Sequence, residues 1–172
     1  MGTRGTLAVR IDGITKGSYN HWDSYPGWLG NRVLEFLKSE TFDLEDVRHK
    51  ARRLQQVPDR DPTPAEIEWL KPYTDLGVSG GSTSDWYCLL RETQGNLDAI
   101  LTAGFYYPSE VGDYDYGYIE WSYVVDLDAQ VLEIYDGSRK VREYAFDHLP
   151  GPFPTDSDAM PPSTAAKRKE AA

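Results

Sequence analysis

Leu7, Val9 and Ile11 alternate with Thr6, Ala8 and Arg10, a period of two that predicts a half-buried β-strand. Asp12-Gly13 follows, a pair suited to the two positive φ angles of a type I′ hairpin turn. The partner strand is expected from Ile14 to about Trp22, and Pro26-Gly27 interrupts it. The period then changes. Leu29, Val33, Phe36 and Leu37 fall on one helical face. A second helix is expected over residues 44–56, with Asp43 as N-cap and Asp46 at the third position, where the helix dipole favours an acid.

Pro58, Pro62 and Pro64 make the next stretch irregular. Thr63-Pro64-Ala65-Glu66 reads as a helix start with a capping box, and that helix should end near Pro72. Residues 79–83 read as a flexible loop, and Ser84 as the cap of a short helix carrying Trp86, Leu89 and Leu90. A further helix is expected from Leu97 to Ala103, closed by Gly104.

From Tyr118 the period of two returns. Strands are expected over about 121–127, 130–135 and 140–146, with a turn at Asp136-Gly137. Residues 150–172 contain five prolines and end in a charged, alanine-rich run, which reads as a disordered tail after a single domain of residues 1–149. Two strands, then helices, then three strands predict an α+β fold. Its mixed, largely antiparallel sheet of about five strands would join the N-terminal hairpin to the C-terminal meander, with helices on one face.

Charge adds a second clue. The 172 residues hold 28 acidic and 18 basic side chains, net −10. Eight of the acids lie in residues 105–136, which contain no Lys or Arg but many aromatics. Asp113, Asp115, Tyr116, Glu120 and Trp121 in this window are candidate binding residues for a protein partner, a basic one above all, because carboxylates steer encounter and aromatics supply contact area. A mimic of nucleic acid is a third possibility for the same carboxylates. The acidic balance speaks against direct, sequence-independent nucleic-acid binding. No apolar run approaches the ~20 residues of a membrane span, and no leader pattern opens the chain, so a soluble cytoplasmic protein is expected. Cys88 is the single cysteine, and three scattered histidines form no metal signature, so neither a metal nor another cofactor is expected.

The densest polar chemistry lies in Tyr19-Asn20-His21-Trp22-Asp23-Ser24-Tyr25-Pro26. Strand alternation places Tyr19, His21 and Asp23 on one face and Asn20 and Trp22 on the other. A two-residue loop at Asp12-Gly13 sets Thr6 opposite Tyr19 and Arg4 opposite His21. Arg4, His21, Asp23 and Tyr25 are therefore the candidate catalytic residues, with Asn20 and Trp22 as binding residues. A carboxylate beside an imidazole raises its basicity, and a guanidinium clamps anions, which would serve a small hydrolase or transferase. The competing reading is a structural polar network where hairpin meets helix.

The opening Met-Gly-Thr-Arg-Gly and the segment His21-Trp22-Asp23-Ser24-Tyr25-Pro26 resemble a group of small uncharacterised bacteriophage and actinobacterial proteins. Asp85-Trp86-Tyr87-Cys88, Gly95-Asn96-Leu97, Ala103-Gly104-Phe105-Tyr106 and residues 120–128 are similar to that group's later blocks. The resemblance implies a phage or mobile-element setting and supplies no reaction.

Overall fold

The computed structural model describes residues 2–113, 118–155 and 159–165. Strands β1 (Gly5–Ile11) and β2 (Ile14–Asn20) form the expected hairpin. Asp12 and Gly13 take φ of 52° and 76°, the I′ geometry, so that Ile11 pairs with Ile14 and Thr6 with Tyr19. β5 (Trp121–Asp126), β6 (Val131–Asp136) and β7 (Arg139–Ala145) form the meander, and β5 runs parallel to β1. The result is one five-stranded, mixed, mostly antiparallel sheet in the order β2-β1-β5-β6-β7. A short parallel pair, β3 (Gln55–Gln56) and β4 (Phe105–Tyr106), was not legible in the sequence. It ends the second helix early.

One sheet face carries Leu7, Val9, Tyr123, Val125, Leu132 and Ile134, all fully buried. Helices α1 (Asn31–Lys38), α2 (Leu44–Arg53) and α5 (Leu97–Ala103) close over that face with Leu29, Val33, Leu34, Val47, Ile100 and Leu101. Burying each such side chain contributes roughly 1.5–3 kcal/mol before the entropic cost of ordering it. A wide helical turn over Pro26–Gly30 leads directly into α1, so Pro26 starts the helical segment rather than separating it from the hairpin. Proline fits there because the first helical N–H needs no partner.

Helices α3 (Pro64–Trp69) and α4 (Trp86–Leu89) gather around a smaller cluster of Leu70, Trp86, Leu89, Leu90 and Phe105. The Thr63–Glu66 capping box forms in full. α4 is capped by Asp85, which accepts from the Tyr87 N–H, and not by Ser84, whose hydroxyl bonds Ser82. The longer carboxylate reaches the N2 amide that the adjacent hydroxyl leaves free.

The C-terminal stretch corrects the expectation of a free tail. Phe153 and Met160 are buried in the main core. Asn31 holds Phe153 from both sides, its Oδ1 accepting from the Phe153 N–H and its Nδ2 donating to the Phe153 carbonyl. Further on, the Thr164 N–H donates to the Glu143 carbonyl and the Arg142 guanidinium donates to the carbonyls of Met160 and Pro161. Residues 159–165 thus strap the outer edge of β7, where proline's missing N–H does no harm. Among the described residues no helix is long and apolar enough to cross a membrane.

Candidate functional site

The β1–β2 ladder ends at the pair Gly5–Asn20, and the chains diverge beyond it. The turn over residues 21–25 is held from below. Asn20 Nδ2 donates to the Trp22 carbonyl and to Ser24 Oγ, and the buried Tyr123 hydroxyl donates to the Ser24 carbonyl. Inside this turn Asp23 takes φ of 51°, unusual for any residue but glycine and tolerated best by Asn and Asp. The positive φ ends strand alternation. Arg4 and His21 line one cleft, whereas Asp23 lines a separate one with Trp22 and Trp28. His21 and Asp23 are therefore not a base and its orienting carboxylate. Tyr25 turns into the entry of the Pro26–Gly30 segment, where its carbonyl accepts from the Trp28 N–H, and it lines none of these clefts.

His21 instead has Tyr19 as partner, with 2.8 Å between the hydroxyl and Nδ1. Arg4 lines the same cleft, and its charge acts on the Tyr19 hydroxyl. Burial pushes the Tyr19 phenol above its ordinary range, so it keeps its proton, and His21 Nδ1 is the acceptor within reach. With the phenol as donor, Nδ1 accepts and the imidazole carries its proton on Nε2. Burial, followed by the charges of Arg4 and Arg91, lowers the His21 pKa and keeps the ring neutral. In that tautomer the Nε2–H is left as a donor.

Arg4, Tyr19 and His21 share their cleft, about 350 Å³, with Ser79, Asp85, Tyr87 and Tyr107. Tyr87 meets Tyr107 edge to face at 5.4 Å and Tyr19 at 6.3 Å, giving an aromatic wall. Both Asp85 oxygens are engaged, one by the Tyr87 N–H and one by Ser79 Oγ. Arg4 and His21 also line an adjoining depression of about 580 Å³ with Gly2, Thr3, Trp22, Tyr118 and Glu120. Glu120 Oε2 is buried there without a hydrogen-bond partner. On the far side of Trp22 a third cleft, about 150 Å³, is lined by Asn20, Asp23, Trp28, Arg32, Arg91 and Gln94. The two sides are tied together by Gln94, whose Oε1 accepts from the His21 N–H at 2.9 Å and from Arg91 at 3.4 Å. A groove of about 530 Å³ between α1, α2 and α5 contains none of the candidate residues.

Among the described residues, three acids of the window have partners within the chain. Asp126 and Glu133 both face Arg10, at 2.9 and 2.5 Å. Asp128 accepts from the Asp12 and Gly13 amides, which hold its pKa low. Trp121 is half-buried against the main core, and Asp113 lies half-buried in the turn before Ile119. Asp115 and Tyr116 lie outside the described residues. Among the described residues no group of three or more His, Cys, Asp or Glu is placed to hold a metal ion.

Sequence reasoning missed Tyr87, Tyr107, Arg32, Arg91, Gln94 and Trp28. They reach the clefts from four different segments, and no local pattern marks them. No known family model matches the chain, and neither a curated protein nor a solved structure matches it.

Proposed function

We propose that this chain is a ligand-binding protein whose Arg4–His21 cleft captures an anionic group. The observation that carries the reading is the Tyr19 hydroxyl 2.8 Å from His21 Nδ1 in the cleft that Arg4 also lines. With the hydroxyl as donor, the imidazole is a neutral Nε2–H donor beside a guanidinium, and hydrogen bonds to a charged group contribute roughly 1.5–3 kcal/mol each. The tyrosine wall gives this cleft an apolar, flat side. A hydrolase or transferase built on Arg4, His21, Asp23 and Tyr25 has less support. General-base work needs a free lone pair on the imidazole, and a ring whose Nδ1 accepts from Tyr19 has a proton on Nε2. A partner surface in residues 105–136 also has less support, since Asp126, Glu133 and Asp128 are engaged inside the chain.

Calorimetric titration with inorganic phosphate tests the reading. Binding should weaken at least tenfold in Arg4→Met and several-fold in Tyr19→Phe, while Tyr25→Phe leaves it unchanged. Phosphate affinity that is absent, or indifferent to Arg4→Met, overturns the proposal.

A further inference from the structure

The cleft beyond Trp22 offers a different inventory of groups. Trp22 and Trp28 line it and remain 52% and 50% exposed, although indoles of this size are usually covered. Its amides are already engaged. Asn20 Nδ2 donates to Trp22 and Ser24, and Gln94 Oε1 accepts from His21 and Arg91. Among the described residues the Asp23 carboxylate and the Arg32 guanidinium make no hydrogen bond or ion pair, and Arg91 has only its long contact to Gln94. Free to meet a ligand are thus one carboxylate, two guanidinium groups and two indole surfaces.

The backbone keeps the space open. Gly95 sits at φ 74°, and a Cβ there would lie 3.2 Å from Asn20 Oδ1 and 3.4 Å from Arg32 Nη1, intruding on the cleft. Asp23 reaches the cleft only through its own positive φ. Non-glycine residues held in that region cluster at ligand sites, where surrounding structure maintains them.

We propose that this cleft is a guanine subsite, and that the ligand is a guanine nucleotide lying across Trp22 with its phosphate on Arg4 and His21. The proposal rests on the anion reading above. Guanine presents donors on N1 and N2 that suit a carboxylate, and acceptors O6 and N7 that suit an arginine fork. Adenine is read bidentately by both ends of one amide, and here Asn20 Nδ2 and Gln94 Oε1 are each already engaged. The volume, about 150 Å³, suits a single ring system. Stacking on exposed aromatics supplies affinity that does not depend on base identity, so Asp23 and the arginines set the choice of base. Trp22 borders this cleft and the depression that Arg4 and His21 also line, and it packs edge-on against His21 at 4.6 Å, which makes the two subsites adjacent.

The test is calorimetry on the full chain with GMP, AMP, guanosine and inorganic phosphate as separate probes. GMP should bind more tightly than guanosine or phosphate, and AMP at least tenfold more weakly than GMP. Trp28→Ala and Asp23→Asn should each weaken guanosine and GMP about tenfold without changing phosphate affinity. Asparagine also tolerates positive φ, so Asp23→Asn keeps the turn. Arg4→Met should weaken phosphate and GMP while sparing guanosine. Phosphate binding with GMP no tighter than phosphate overturns the guanine subsite and leaves the anion reading standing. Guanosine binding without phosphate binding does the reverse. AMP equal to GMP, or Asp23→Asn without effect on either guanine probe, overturns the assignment of the base.

Discussion

The Tyr19 hydroxyl stands 2.8 Å from His21 Nδ1, just past the end of β2, in the cleft that Arg4 also lines. This contact fixes which imidazole nitrogen faces the cleft. Nitrogen-detected NMR should find His21 as the Nε2–H tautomer in the native chain, and Tyr19→Phe should shift the population toward Nδ1–H.

The same histidine makes stability depend on pH in a set direction. Its folded pKa is lowered, through burial first and then Arg4 and Arg91, so the unfolded chain binds the proton first as pH falls. Its contribution to stability is present above the ordinary histidine pKa of about 6.5 and declines below it. Urea denaturation at pH 7.5 and pH 5.5 should show a larger loss in the native chain than in His21→Gln.

Arg10 is the single cation between two buried carboxylates, Asp126 on β5 and Glu133 on β6. Burial disfavours the guanidinium charge, but its hydrogen bonds to both acids outweigh this and hold its pKa above the ordinary value. Arg10→Met should destabilise the fold by about 3–5 kcal/mol, since it leaves two like charges buried together. The triple variant Arg10→Met, Asp126→Asn, Glu133→Gln should recover part of that loss in the same denaturation assay.

Phe153 packs against Tyr144 at 5.7 Å from a segment that composition marks as free tail. Phe153→Ala should cost about 3–5 kcal/mol. Truncation after Leu149 should expose apolar surface on β7 and α1, measurable as increased binding of a hydrophobic dye.

At the start of α3, Glu66 is held down to about 2, chiefly by its hydrogen bond from Arg60 and then by the Thr63 backbone and hydroxyl. A lowered carboxyl pKa stabilises the fold above its ordinary range of about 4.3 and loses that contribution as pH falls toward 2. Thr63→Ala should cost about 1 kcal/mol near neutrality. Thermal melts at pH 7 and pH 3 should show the difference between the two chains shrinking in acid.

Features set by neighbours along the chain were legible beforehand. Asp12-Gly13 dictated the hairpin turn, and the turn dictated the register that sets Thr6 against Tyr19 and brings Arg4 toward His21. Asp43, Thr63 and Asn96 cap their helices through hydrogen bonds three residues long. The error at Asp23 came from extending strand alternation one turn too far. Asn20 and Tyr123 impose a different path there, and Tyr123 lies about a hundred residues away. The proline-rich end misled for a related reason, because the groups that capture it belong to Asn31 and β7.

Turns, caps and periodic apolar faces belong to the amino-acid sequence alone, since their energies depend on contacts within a few residues. Only the tertiary structure decided that Arg4, Tyr87 and Tyr107 share one cleft and Asp23, Trp28 and Arg91 another. Clefts form where packed elements leave space, and the residues around that space are chosen by how α1, α4 and the sheet end fit together.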